Sequence, residues 1–320
     1  MHAVTGGGEF DFIARLFQPL AGEGALDLRD DAALVAGRAG YELAISTDTI
    51  VESTHFLPDD PAGSVGRKLL RVNLSDCAAM GAEPFGWFLN VARPPARDEA
   101  WFIDFADGLA ADQRRFGVRL LGGDTTGTSG PLVLTATILA WVRHGEALRR
   151  NGARVGDDLW ITGTIGDATL GLAALRGACA DPDGSLTQRY RVPEPRLGMR
   201  LHGIAHAALD VSDGLVQDCG HIARESGVAI TIEAASVPLS AAARSSGAAI
   251  GRLLAGGDDY ELLLAVPPSR AAALQAEAAR AGIAVTRIGR VWEAAAGGRV
   301  MVLGADGAPL ALPRGGWQHF

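Results

Sequence analysis

Phe10, Ile13, Leu16 and Phe17 recur at the spacing of one helical face, so the chain is predicted to open with an amphipathic helix behind a flexible lead-in over residues 1–8. Residues 41–47 alternate apolar and polar positions, the period of a strand, and run into Ser46-Thr47-Asp48-Thr49. A helix is predicted over 65–80, with Val65, Leu69, Val72 and Ala79 on one face and Asn73 and Asp76 three apart on a shared face. A strand over 85–91 stops at Arg93-Pro94-Pro95, and a second long helix covers 99–116. Leu120-Leu121 leads into a turn at Gly122-Gly123-Asp124, followed by a β-rich run over 132–142.

Asn151-Gly152 and Gly156-Asp157 then mark turns, and the pattern starts afresh. The second half reads as a strand at 159–162, a Gly-rich turn at 163–166 and a helix after it. A helix at 195–208, a turn at 210–214 and a helix at 215–226 follow. Strands are predicted at 228–232, 260–266, 286–291 and 300–303, with a helix at 269–282. Both halves mix strands and helices, so each is an α/β or α+β unit, with domains over 9–148 and 149–320.

Length and composition agree with two globular domains: 320 residues, 48% hydrophobic and 21% charged. The net charge of −8 argues against sequence-independent binding to nucleic acid or anionic lipid, both of which need a basic surface. Lys68 is the sole lysine, and no Walker A sequence surrounds it, which excludes a P-loop nucleotide site. Cys77, Cys179 and Cys219 form no CxxC pair, which suits a reducing cytosol. Glu9, Asp11 and Arg15 interrupt the apolar N-terminal residues, so no signal peptide is expected. The apolar run at 132–142 is too short to span a bilayer. The expectation is a soluble, cytoplasmic protein with no nucleic-acid or membrane partner.

The candidate chemistry lies in five acidic turns beside glycine, serine or threonine: Asp30-Asp31, Ser46-Thr47-Asp48, Asp76, Gly122-Gly123-Asp124, and Asp210-Val211-Ser212-Asp213-Gly214. Carboxylates gathered in one site repel one another unless cations sit between them. An all-oxygen set suits Mg²⁺ bridging protein carboxylates to substrate phosphates. Each turn alone has an ordinary explanation; Ser212 or Asp213, for example, can cap the helix that follows. Other chemistries find little support. The 163–166 turn departs from GxGxxG, and no GxSxG elbow is present. His202 and His206 are four apart on the predicted helix, but Gly203 stands where a zinc protease needs Glu.

Taken together, GEFDFIARLF, DDAAL, LAISTDTIVESTHFLP, VNLSDCAAMGAEP, LLGGDTT, NGARVGDDLWITGTIGD, LDVSDGL, GGDDYELL and the terminal GWQHF make the chain resemble the thiamine-monophosphate kinase family over nearly its whole length. The wider superfamily, with aminoimidazole ribonucleotide synthetase, selenophosphate synthetase and a hydrogenase maturation protein, shares the acidic turns but not THFLP or GWQHF. The resemblance implies a two-domain aminoimidazole ribonucleotide synthetase-like fold, an N-terminal α/β domain and a C-terminal α+β domain, forming a homodimer with ATP between the domains. It implies several Mg²⁺ ions held by Asp31, Ser46, Thr47, Asp48, Asp76, Asp124, Asp210 and Asp213. It implies ATP contacts at Gly123, Asp124, Arg150 and Ser212, and thiamine phosphate contacts at His55, Asp258 and Trp317.

Two positions depart from the family pattern. Arg29 precedes the Asp-Asp pair where glycine is usual, and Asp258 stands where the family usually has Glu. The shorter Asp258 reaches less far, which leaves Glu261 as the other candidate for that contact.

The implied reaction is ATP plus thiamine phosphate giving ADP and thiamine diphosphate. Its acceptor, a phosphate oxygen, is already ionised and needs no general base. Arg150 adds positive charge on the triphosphate, and Trp317 stacks on the cationic ring. The alternatives are another ATP-dependent synthetase of the superfamily or a non-catalytic nucleotide- or metal-binding relative. A selenophosphate synthetase is expected to carry a reactive residue near its N-terminus, and this chain has no cysteine before Cys77.

Overall fold

The computed structural model describes residues 9–294 and 299–312; Trp317 and the rest of GWQHF lie outside them. The chain falls into two compact units. One runs up to Leu74 and resumes over Pro84–Trp141; the other comprises Ser75–Glu83 and the chain from Val142 onward.

The first unit opens with α1 (Glu9–Leu16) and continues with β1 (Tyr41–Val51), α2 (Ala62–Met80), β2 (Glu83–Arg93), α3 (Glu99–Phe116), β3 (Arg119–Gly127) and β4 (Val133–Arg143). Its four strands form one sheet in the order β1-β4-β2-β3. β2 and β3 run parallel, with Asn90 opposite Asp124. Helix α3 has clear stops: the Asp98 side chain accepts from the Trp101 N–H at its start, and Gly117 adopts φ 70° after its end. The α2 and α3 backbones touch at glycines; a Cβ on Gly108 would stand 2.1 Å from the Gly63 carbonyl oxygen. Buried Arg71 donates to both oxygens of Asp112 across the same contact, at 2.5 and 2.9 Å.

The second unit contains β5 (Asp158–Thr162), α4 (Asp167–Leu175), α5 (Ser185–Arg191), β6 (Ala207–Asp210), α6 (Leu215–Ser226), β7 (Val228–Glu233), α7 (Ala241–Ser245), α8 (Ile250–Leu254), β8 (Leu262–Val266), α9 (Ala271–Ala281), β9 (Val285–Glu293) and β10 (Arg299–Leu303). The six strands form one mixed sheet in the order β10-β7-β9-β5-β8-β6. Only β10 and β7 pair in parallel among the registers described; the others are antiparallel. The sheet packs on both faces. Leu159, Ile161, Ile230 and Leu263 join α6 on one side, while Trp160, Leu262 and Leu264 join α9 on the other. This is the expected α/β unit followed by an α+β unit.

Three local expectations are corrected. Ser46-Thr47-Asp48 and Gly122-Gly123-Asp124 are not turns; they lie inside β1 and β3. The helix expected over 195–208 is absent, because Gly198 and Gly203 take positive φ of 87° and 72°, and the segment ends in β6. His202 and His206 therefore do not share a helical face, and His206 instead contacts Asp157 at 3.0 Å.

Candidate active site

In the first unit, β1 is tied to both of its neighbours by polar bonds. Thr47 Oγ1 donates to the Ala136 carbonyl at 3.0 Å and accepts from Thr137 Oγ1 at 3.0 Å, while Thr49 and Thr135 hydroxyls meet at 2.7 Å. The Asp48 N–H donates to Asn73 Oδ1 at 3.1 Å, and Asn73 Nδ2 donates back along α2 to the Leu69 carbonyl at 2.9 Å. Asn73 thus fastens α2 to the strand at Asp48. Asp76 follows one helical turn later on the same face.

β1 ends in a knot that presents His55. Ser53 takes φ 68°, its N–H donates to the Phe56 carbonyl at 2.8 Å, and Glu52 accepts from Arg97 at 2.5 Å. The Val51 N–H donates to His55 Nδ1 at 3.0 Å, so in the neutral ring Nε2 carries the proton and is the remaining donor. Lys68, 2% exposed, donates to the His55 carbonyl at 2.9 Å. The chain's sole lysine therefore supports this loop.

Asp124 stands apart from Asp48 within this chain. β1 and β3 are the two edges of the sheet, three strand spacings or about 14 Å apart. Gly123 is required beside Asp124, because a Cβ there would lie 1.8 Å from the Leu89 carbonyl oxygen on the paired strand. Asp31 sits in an exposed segment between α1 and β1.

In the second unit the remaining acidic positions gather around β6 and the start of α6. Burial first, then the charges of Asp76 and Asp210, push the Cys77 thiol up to about 12, so both carboxylates act on the same thiol. This also rules Cys77 out as a thiolate nucleophile at neutral pH. Beyond Asp210, the turn is not capped by Ser212 or Asp213. Buried Asp218, one turn inside α6, reaches back instead, and its Oδ2 accepts the N–H groups of Ser212, Asp213 and Gly214 at 3.0, 3.0 and 3.1 Å. Burial, and then the Asp213 charge, raise the Asp218 carboxyl to about 7. Arg150 is exposed, and its carbonyl accepts from Ser226 Oγ of α6 at 2.8 Å. Burial, then Arg224 and Arg150, hold the nearby His221 ring below its usual pKa.

The loop before β8 packs directly on this turn. Gly257 allows the approach: a Cβ there would stand 2.3 Å from the Ser212 carbonyl oxygen. The Asp258 N–H donates to that same oxygen at 2.8 Å, and the Tyr260 N–H donates to the Val211 carbonyl at 2.8 Å. The structure thus brings Ser212, Asp213 and Asp258 side by side. Glu261 is excluded as a substrate contact. It is 0% exposed, and its carboxylate is occupied by Arg189, Arg196 and Thr162. Its neighbour Asp259 is equally buried and accepts the Gly166 N–H at 2.8 Å. Asp218 and Asp259 are supports that sequence reading missed, and Glu261, there a candidate substrate contact, is a third; no local pattern in the sequence marks them as buried.

Known proteins resemble the chain over most of its length, in sequence and in overall fold. AIR synthase related protein, N-terminal domain, matches residues 29–142, and AIR synthase related protein, C-terminal domain, matches residues 154–302. The thiamine-monophosphate kinase of Caulobacter vibrioides is 47% identical over 97% of this chain and 90% of its own length. The crystal structure of thiamine-monophosphate kinase from Stenotrophomonas maltophilia superposes with a TM-score of 0.83 at 40% identity, covering 95% of this chain and 98% of that one. A structure described as AaThiL complexed with AMPPCP and TMP superposes with a TM-score of 0.78 at 29% identity, covering 98% and 97%.

Proposed function

Because the chain belongs to the thiamine-monophosphate kinase family, we propose that it carries the terminal phosphoryl group of ATP to the phosphate of thiamine phosphate, releasing ADP and thiamine diphosphate. The observation that carries this reading to particular residues is the seating of the Asp258 loop on the Ser212 turn. It sets a candidate contact for thiamine phosphate one hydrogen bond from a candidate contact for ATP.

The donors fit Mg²⁺. Asp31, Ser46, Thr47, Asp48, Asp76, Asp124, Asp210 and Asp213 offer oxygen only, the hard ligand set that Mg²⁺ takes. When bound, such ions neutralise the charge of the triphosphate and of the transferring group. The chain's own groups do the rest. Asp48 is held in place by Asn73, and Asp213 by the Asp218 brace. Arg150 offers a cation to the triphosphate, and His55 offers its Nε2–H to the substrate phosphate. Gly123 is assigned to ATP beside Asp124 on β3. Asp258 and Trp317 are assigned to the cationic ring of thiamine phosphate. Transfer is in line, and the ionised acceptor oxygen needs no general base.

The separation of Asp48 from Asp124 points to a homodimer. Edge strand β1 exposes Leu43 (42%) and Ile45 (61%), and edge strand β3 is exposed at Gly123 and Asp124. Open apolar edges of this kind are a liability unless another chain pairs with them. Pairing of two copies along these edges buries Leu43 and Ile45 and sets Asp124 of a second copy beside Asp48.

The test is ADP release with thiamine phosphate, thiamine and aminoimidazole ribonucleotide precursors as separate acceptors. Thiamine phosphate alone should support turnover, since free thiamine has a hydroxyl that needs a base. Efficient phosphorylation of free thiamine would overturn the assignment.

A further inference from the structure

We propose that Arg189 and Glu261 are positioning residues that hold the Asp258 loop in its binding shape; the inference rests on Asp258 touching thiamine phosphate, as argued above. The loop is built against backbone preference. Asp258 and Tyr260 take φ of 70° and 51°, the left-handed region that side chains other than glycine disfavour. Such a conformation persists only when its surroundings over-determine it.

One side of the loop is held by the Val211-Ser212 backbone. The Asp258 and Tyr260 N–H groups donate to that segment, and the Val211 N–H donates to the Glu261 carbonyl at 2.8 Å. The other side is held by Arg189 of α5. Its Nη2 donates to the carbonyl of Asp259, the residue between the two left-handed positions, and to Glu261 Oε1, each at 2.9 Å. Glu261 in turn is fixed by three groups. Its Oε2 accepts from Thr162 Oγ1 at 2.6 Å and from Arg196 Nε at 2.5 Å, and Arg196 Nη2 bonds Oε1. Thr162 closes the frame by accepting the Leu262 N–H at 2.8 Å. A buried carboxylate with two arginines does little for stability compared with an apolar replacement, so its use is in geometry. Here it aims the guanidinium of Arg189 at one peptide carbonyl. Both bonds leave the single Nη2, so a lysine ammonium is able to donate to both acceptors, but its flexible stem holds that nitrogen less firmly than the planar guanidinium does.

The experiment uses the full chain with Arg189→Gln and Arg189→Lys. Amide hydrogen exchange in the free protein reads the loop without reference to any reaction. Exchange over 256–261 should quicken about tenfold or more in both variants while α3 and β8 stay protected. Steady-state kinetics should show KM for thiamine phosphate rising about tenfold and KM for ATP within about twofold, with Lys the milder change. Unchanged exchange over 256–261 in Arg189→Gln would overturn the proposal, as would an equal rise of both KM values. Loosening of the loop in a protein that does not phosphorylate thiamine phosphate would defeat the functional reading and leave the anchor standing. If the Gln variant fails to fold, the Lys variant carries the same two readings.

Discussion

Replacing Gly257 with alanine probes the joint between the two candidate binding segments. The new methyl would lie 2.3 Å from the Ser212 carbonyl oxygen and 3.3 Å from Asp213 Cα, whereas ordinary contact begins at 3.4 Å. One segment must therefore retreat by about 1 Å, and since both sides are backbone, no side chain can rotate out of the way. The retreat breaks the 2.8 Å bond from Asp258 N–H to Ser212. A lost hydrogen bond costs about 1 kcal/mol and overpacking about 1–3 kcal/mol, so the loss of stability should be roughly 2–4 kcal/mol. A shift of that size also misaligns the reacting groups, with kcat/KM falling on the order of 100-fold. Because Ser212 and Asp258 face each other, KM should rise for ATP and thiamine phosphate together, unlike the selective change expected for Arg189→Gln. Urea unfolding and steady-state kinetics with each substrate varied in turn supply both readings. A variant within about 0.5 kcal/mol of the parent and with unaltered kinetics would refute the argument that this contact is tight and functional.

Three further outcomes are expected. Asp76→Asn should lower turnover by orders of magnitude with little change in melting temperature, because a neutral amide ligates Mg²⁺ poorly; near-normal activity at limiting Mg²⁺ would remove Asp76 from the metal set. Burial holds the Asp259 carboxyl well above the usual carboxylate range, so the folded chain keeps a proton that the unfolded chain releases near pH 4. That contribution is fully present below about pH 4 and is lost as pH rises, so Asp259→Asn should flatten the decline in stability, as urea titrations across pH would show. Asp48→Asn and Asp124→Asn should each be inactive alone. Mixed after dissociation and reassociation they should regain about a quarter of parental activity, because half the dimers are mixed and each mixed dimer holds one intact site. No recovery would place both carboxylates in sites made by one chain.

The long amphipathic elements were legible because period and punctuation agree. Helix 99–116 appears with the expected bounds, framed by Asp98 and Gly117, and helix 215–226 ends where Gly227 takes φ 66°. The expected helix at 195–208 shows the opposite case. Its apolar spacing is adequate, but Gly198 and Gly203 turn the backbone, and Arg196 is drawn to buried Glu261. β6 escaped notice because Ala207–Asp210 is buried throughout and has no alternation to detect. The acidic positions were identifiable as a set, but their setting was not. Strand order alone separates Asp48 from Asp124, and no local pattern encodes strand order. Nor does sequence tell a buried brace such as Asp218 or Glu261 from an exposed candidate ligand such as Asp124. That distinction depends on which backbone amides and arginines the fold brings to each carboxylate.

Direct phosphoryl transfer between the two substrates is tested most directly by following the label from ATP carrying a radioactive terminal phosphate. Incubated with the protein, Mg²⁺ and thiamine phosphate, the label should appear in the outer phosphoryl group of thiamine diphosphate, in step with ADP and with no lag. Release of the label as inorganic phosphate, or its transfer to free thiamine, would contradict the account.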